Sequence, residues 1–223
     1  VEQRTPPTDA RHIQRIGLIG GTFDPIHYGH LVVAEEVRAM LKLAEMIFIP
    51  SGSPPHKHGH TNTAPQHRLA MLELAIASNP YFTLSRIEFD RPGPSYLADT
   101  LRMLREQWGS AIELSFILGW DSLQEFHHWR DPQGILAQLT HLVAVNRPRY
   151  IETIEYNKEL ETQLPGITQR LLVVDAPQLD ISSTDLRRRI AEGRPIKYQV
   201  PEAVELYIMR HELYQVGNHK RKV

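Results

Sequence analysis

Apolar runs of strand length alternate with amphipathic stretches of helical length along most of the 223-residue chain. That alternation predicts an α/β fold: a Rossmann-like parallel sheet with helices on both faces and a small C-terminal helical part. A second observation locates the ligand. In open parallel sheets ligands bind beyond the C-terminal ends of the strands. Residues 20–30, the turn at 119–121 and residues 181–187 each begin just after a strand-like run, so all three are expected to face one crevice.

The elements follow in order. Ile16, Gly17, Leu18 and Ile19 have the length and composition of a buried strand. After His30 an amphipathic helix is expected, with Leu31, Val33, Ala34, Val37, Met40 and Leu41 on one face. Residues 46–50 form the second apolar run, and residues 51–62 a polar loop rich in Pro, Gly and His. Thr63, with Gln66 three residues on, predicts a capping box opening a helix through Arg68, Leu69, Leu72 and Ile76 to about Ser78. Residues 81–89 read as a strand, and 95–108 as a helix that Gly109 ends. Residues 112–118 are the next strand, and Asp131 with Pro132 suits the start of a helix reaching Leu139.

Residues 141–145 are a further strand, whereas periodicity weakens over 147–169, which reads as a variable excursion. Residues 170–174 are the last strand. Ser182 is expected to cap a helix in which Asp185 reaches back in the capping-box manner and which Gly193 ends. Pro201 opens the final helix through Val204, Leu206 and Met209. The expected organisation is a mobile lead-in over 1–14, an α/β domain over 15–180 and a C-terminal helical part over 181–223 with a basic tail.

Composition bounds the function. Hydrophobic content of 41% and charged content of 23% are those of an ordinary globular domain. A net charge of −1 gives no polyanion-binding surface, so no nucleic-acid partner is expected. With no cysteine there is neither a disulfide framework nor a cysteine nucleophile. No apolar run approaches bilayer length and the first residues do not form a signal peptide, so the expected compartment is the cytoplasm, with no membrane partner. A homo-oligomer is left open.

The chemistry concentrates in residues 20–30, Gly-Gly-Thr-Phe-Asp-Pro-Ile-His-Tyr-Gly-His. Gly20 and Gly21 let backbone approach a ligand closely, and the helix start that follows supplies N–H groups and a partial positive charge suited to phosphate. The stretch has neither P-loop nor dinucleotide-fingerprint spacing. His27 and His30 therefore take the place of a P-loop lysine as donors to phosphate oxygens. Two other readings stand beside this one: half of a zinc site, which lacks further ligands here, and a plain structural turn, which leaves both histidines unexplained.

This stretch resembles the (T/S)FDPxHxGH signature of the nucleotidyltransferases, specifically the bacterial nicotinate mononucleotide adenylyltransferases. Residues 181–187, Ile-Ser-Ser-Thr-Asp-Leu-Arg, are similar to that family's ISSTxIR motif. Weaker similarity lies at Pro54–Lys57, Ser95–Thr100, and Leu118–Asp121 followed by Trp129. The resemblance implies ATP and nicotinate mononucleotide as substrates and Mg²⁺ brought with ATP, with no metal site made by the protein. It places ATP along Gly20, Gly21, Thr22 and Phe23, its triphosphate on His27 and His30, and its ribose near Asp121. Ile181, Ser182, Ser183, Thr184 and Arg187 would hold the β- and γ-phosphates. His27, His30, Lys57 and Arg187 are the expected catalytic donors.

Asp24, Lys57, Tyr96, Leu97, Trp129 and Arg130 are expected around the mononucleotide. Asp24 equally reads as a residue that only sets the turn beside Pro25, and Trp129 as plain core rather than a stacking surface. His56, His58 and His60 alternate in the polar loop. The chain departs from the resembled family at Leu97, where Thr is usual, and at Arg130, where Tyr is frequent. Nicotinamide mononucleotide or phosphopantetheine as acceptor, and a non-catalytic nucleotide sensor, remain as alternatives.

Overall fold

Six strands run side by side in the order β3-β2-β1-β4-β5-β6, every neighbouring pair parallel. They are β1 (Arg15–Gly21), β2 (Glu45–Pro50), β3 (Phe82–Leu84), β4 (Glu113–Gly119), β5 (His141–Asn146) and β6 (Leu171–Asp175). The helices are α1 (Tyr28–Met40), α2 (Pro65–Ile76), α3 (Leu97–Trp108), α4 (Trp120–Gln124), α5 (Pro132–Gln138), α6 (Ile154–Gln163), α7 (Ser183–Ala191) and α8 (Glu202–Arg210). The structure, a computed structural model, describes residues 14–52, 63–146, 154–177 and 179–215. Residues 1–13 of the lead-in, the loop histidines His56, His58 and His60, Lys57 and the basic tail lie outside the described residues.

Side chains alternate across a strand, so each strand feeds two cores. On β1, Ile19 joins one core while Ile16 and Leu18 join the other; on β2, Met46 and Phe48 oppose Ile47 and Ile49. Helices α1, α2, α7 and α8 cover the first face through Val37, Leu72, Leu186 and Val204. Helices α3 to α6 cover the second through Leu101, Leu123, Leu136 and Leu160. Helices on both faces of a parallel sheet are what the alternation predicted. The C-terminal helices share the first core with β1, β2, β4 and β5.

Several boundaries differ from expectation. Helix α1 starts at Tyr28, with His27 as its extended N-cap, so His30 lies inside the first turn. Ala64, not Thr63, is the N-cap of α2, because Pro65 takes the first helical position, and the Thr63 N–H goes instead to the Asp24 carboxylate at 3.1 Å. The strand expected over 81–89 is cut to Phe82–Leu84, its remainder turning away at the sheet edge. Helix α3 is capped by Tyr96 rather than starting at Ser95. The variable excursion contains α6, which buries Leu160 on the second core. Ser182 does cap α7, accepting the Asp185 N–H at 3.1 Å, but Asp185 pairs with Arg188 instead of reaching back.

Gly17 illustrates the density of the first core. A Cβ there would lie 2.7 Å from both Leu43 Cδ1 and Met46 Cε. Gly17→Val is expected to cost about 1–3 kcal/mol through overpacking. Urea denaturation of the variant measures it; an unchanged midpoint would mean the core yields there freely.

Candidate active site

The chain order turns back at β1, which has β2 on one side and β4 on the other. This is the switch point at which open α/β sheets bind ligands. Gly20 and Gly21 end β1 between aromatic rings: an added Cβ would stand 3.3 Å from Phe116 at Gly20 and 3.1 Å from Phe23 at Gly21. The backbone is thus kept low at the mouth of the crevice. Phe23, with a left-handed φ of 50°, buries its ring in the core. The Asp24–Pro25 peptide is cis.

His27 and His30 meet at the start of α1, their rings stacked with centroids 3.7 Å apart and planes 29° apart. Phe23 meets His30 edge-on at 5.1 Å. The His27 backbone N–H donates to His30 Nδ1 at 3.3 Å, which puts the proton of neutral His30 on Nε2. The His30 N–H goes to the His27 carbonyl at 3.0 Å, and His27 Nδ1 is buried without a hydrogen-bond partner. Burial lowers the His27 pKa to about 4, and burial together with the neighbouring His27 holds His30 well below the ordinary histidine value. Both imidazoles are neutral at pH 7, donors rather than cations.

Helix α7 is fastened to this turn. Ser183 Oγ donates to the Pro25 carbonyl at 2.8 Å, and Arg187 Nη1 to the Asp24 carbonyl at 2.6 Å. Arg187 Nη2 also reaches Thr184 Oγ1 at 3.3 Å. The Ser183 hydroxyl is spent as a donor, whereas the Ser182 and Thr184 hydroxyls only accept, from the Asp185 N–H and from Arg187, and keep their own O–H hydrogens; these, the first N–H groups of the helix and the remaining N–H groups of Arg187 are the donors left for an anion. Ile181 lies beside the same turn, its carbonyl 3.7 Å from where a Cβ on Gly29 would be.

Asp24 is 3% exposed, and both its oxygens are used: Oδ2 accepts from Thr63 N–H and Oδ1 from the Tyr214 hydroxyl at 2.7 Å. These contacts give it the turn-setting part. Tyr214 is held well above the ordinary tyrosine range, by burial first and then by Asp24.

At the end of β4, Asp121 is exposed in the first turn of α4, and Gly119 before it has open space where a side chain would be. Trp129 is half-buried, its ring 5.3 Å from Phe126 and 6.3 Å from Phe116, so the core backs the ring without enclosing it. The Arg130 guanidinium lies 4.5 Å over the Tyr96 ring. Leu97 packs its side chain against the second core, while its backbone opens α3. Among the described residues no group of three or more His, Cys, Asp or Glu is placed to hold a metal.

Sequence reasoning missed three residues. Arg68 is 1% exposed and reaches the Thr22 and Ser51 carbonyls at 2.9 and 2.8 Å. Glu88, buried, accepts from Thr100 Oγ1 at 2.8 Å, and burial raises its pKa. Ser95 Oγ accepts the Gly52 N–H at 3.0 Å. The available signal was a charge on the apolar face of α2: Arg68 stands in phase with Leu72 and Ala75.

Two stacked neutral imidazoles at a parallel-sheet switch point, fastened to a second helix start, are an arrangement suited to an α/β nucleotidyltransferase. The cytidylyltransferase-like family model matches residues 18–189. A Roseiflexus castenholzii protein named "probable nicotinate-nucleotide adenylyltransferase" is 49% identical over 90% of this chain and 98% of its own length. One of the same name from Thermomicrobium roseum is 45% identical, over 91% and 92%. Plasmodium falciparum nicotinic acid mononucleotide adenylyltransferase, solved with NaAD, shares the fold at a TM-score of 0.72 and 20% identity, over 90% of this chain and 97% of its own. The chain belongs to the cytidylyltransferase-like family, among the nicotinate-nucleotide adenylyltransferases.

The stacked histidines generate a pH prediction. Unfolded histidine titrates near pH 6.5 and folded His27 near 4. His27 thus contributes stability that is present above pH 6.5 and lost as pH falls through about 4, at most about 3 kcal/mol. Thermal unfolding of His27→Gln should therefore vary less with pH between 6.5 and 4 than that of the parent. Parallel profiles would show that His27 is not the buried titrating group.

Proposed function

We propose that this chain transfers the adenylyl group of ATP to nicotinate mononucleotide, giving nicotinate adenine dinucleotide and pyrophosphate. The observation that carries the reading is the His27–His30 pair and the α7 start, fastened together at the end of β1. A phosphate oxygen of the mononucleotide forms the new bond to the α-phosphorus, and the bond from that phosphorus to the bridging oxygen of pyrophosphate breaks. The nucleophile is already an anion, so no base is needed. The protein's task is to align two anions and to receive the charge that spreads onto the leaving group.

His27 and His30 hold the triphosphate as N–H donors, with Gly20, Gly21 and Thr22 along the nucleotide. The first N–H groups of α7 and Arg187 take the β- and γ-phosphates, and Asp121 faces the ribose. Mg²⁺ fits this donor set as an ion carried by the triphosphate, where it neutralises phosphate charge; Asp24 is spent on Thr63 and Tyr214. Trp129 offers a backed ring face for the pyridine, with Tyr96 and Arg130 beside it. Lys57 is kept as a proposed donor on sequence grounds.

Leu97 removes a side-chain hydroxyl but leaves the N–H groups that open α3. Those donors favour a carboxylate, because an amide turns one of its own N–H groups toward them, at a cost of about 1–3 kcal/mol per unpaired donor. Competition between nicotinate and nicotinamide mononucleotides at equal concentration should therefore favour nicotinate by about tenfold or more in kcat/KM. Equal or better use of the amide would transfer the assignment to nicotinamide mononucleotide, and turnover only with phosphopantetheine to that acceptor. Binding of ATP without turnover of any of the three would make the chain a sensor.

His30→Ala removes a donor from charge that grows in the transition state. The expected loss is about a hundredfold or more in kcat with the fold retained. Parental turnover in a folded variant would remove His30 from the machinery.

A further inference from the structure

Arg68 is the bulkiest of the fully buried side chains among the described residues. It stands on a helix face otherwise made of Leu69, Met71, Leu72, Ala75 and Ile76. Among the described residues no carboxylate lies at ion-pair distance from it; backbone carbonyls receive it instead. Nη1 donates to Thr22 O at 2.9 Å and Ser51 O at 2.8 Å, Nη2 to Gly52 O at 3.4 Å, and Nε to Thr63 O at 3.3 Å. The Phe89 ring lies 5.2 Å from the guanidinium carbon.

An apolar side chain would fill this position without the desolvation penalty of a buried cation. What only a guanidinium provides is a rigid fork of five donors that reaches several carbonyls at fixed spacing. The carbonyls it gathers belong to different strand exits. Thr22 follows β1 and Ser51–Gly52 follows β2, while Thr63 precedes α2. The far side of the same corner is also gripped, since Ser95 Oγ takes the Gly52 N–H and a Cβ on Gly52 would collide with the Glu88 carbonyl.

We propose that Arg68 is a positioning residue for nucleotide binding: it fixes the Gly-Gly-Thr turn against the exit of β2 and so sets the height of the ATP-side backbone in the crevice. The proposal rests on the adenylyltransferase reading for its ligand. It separates a geometric role from plain stability, because the molecule holds an internal control. Arg105, half-buried at the opposite end of the sheet, also donates to carbonyls: twice to Gln138 O (2.9 and 2.6 Å), and to Gly109 O (3.2 Å) and Ile112 O (2.6 Å). A cavity of about 450 Å³ beside it contains none of the site residues.

The test is calorimetric titration of the full chain with ATP, paired with thermal unfolding, for Arg68→Met, Arg68→Lys and Arg105→Lys. Arg68→Met should weaken ATP binding tenfold or more, and Arg68→Lys by a smaller factor. Arg105→Lys should lower Tm yet leave ATP affinity within twofold of the parent. Should Arg68→Met not fold, Arg68→Lys carries the comparison. Parental ATP affinity in folded Arg68 variants overturns the proposal, as does an equal loss in Arg105→Lys. A parent that binds ATP but does not adenylylate nicotinate mononucleotide overturns the functional reading alone, and the affinity series still judges Arg68.

Discussion

The crevice depends on how the four residues from Thr22 to Pro25 are held. No regular element contains them, and their polar groups are taken by distant parts of the chain. Arg68 of α2 takes the Thr22 carbonyl, Arg187 of α7 the Asp24 carbonyl, and Ser183 the Pro25 carbonyl. Thr63 and Tyr214 take the two oxygens of the Asp24 carboxylate. A buried polar group left unpaired would cost about as much as a lost hydrogen bond or more. The turn is therefore held by the C-terminal segment as well as by its own strand, and residues 22–25 and 183–187, far apart in sequence, are tied directly together.

Burial explains the uncharged state of the histidine pair. Stacked rings buried at a helix start resist taking up a second proton each: burial depresses both, and the neighbouring His27 adds to the effect on His30. A polyanion at the same place acts in the opposite sense, because it favours the protonated imidazole. The pair therefore adds no charge of its own beside the Arg187 guanidinium, and takes one up only with phosphate to balance it. Preorganised neutral donors need little rearrangement as charge shifts toward the leaving group.

The sheet was legible because its information is local: apolar runs, glycine and proline punctuation, and the capping residues Asp131 and Ser182, both of which accept the expected N–H. The two motif segments, 20–30 and 181–187, were legible as local strings, and the structure fastens them together through Ser183 and Arg187. What could not be read depended on distant partners. Thr63 stands one place before the cap, and its N–H serves Asp24, 39 positions away, which no local pattern could announce. The third strand shortens because only Met46, Ile47 and Phe48 of β2 offer it pairing. Helix α6 has a weak pattern, since it rests on the second core through few residues, Leu160 among them. Arg68 looked like an ordinary helix residue until the carbonyls around it were assembled from three separate segments.

On the proposed reading, Leu97 bears on how such a site tolerates sequence change. In the first turn of a helix the N–H groups point along the axis, whereas side chains radiate sideways. Leu97 uses its side chain to pack against the second core, so the substitution alters packing while the helix start stays in place. Tyr96, the N-cap, is in turn covered by the Arg130 guanidinium, a cation–π contact that ties the segment carrying Trp129 to the start of α3. Recognition that rests on backbone donors survives a change of side chain so long as the helix end is fixed. Here the Tyr96–Arg130 stack and the Gly52–Ser95–Glu88 contacts fix it from both sides.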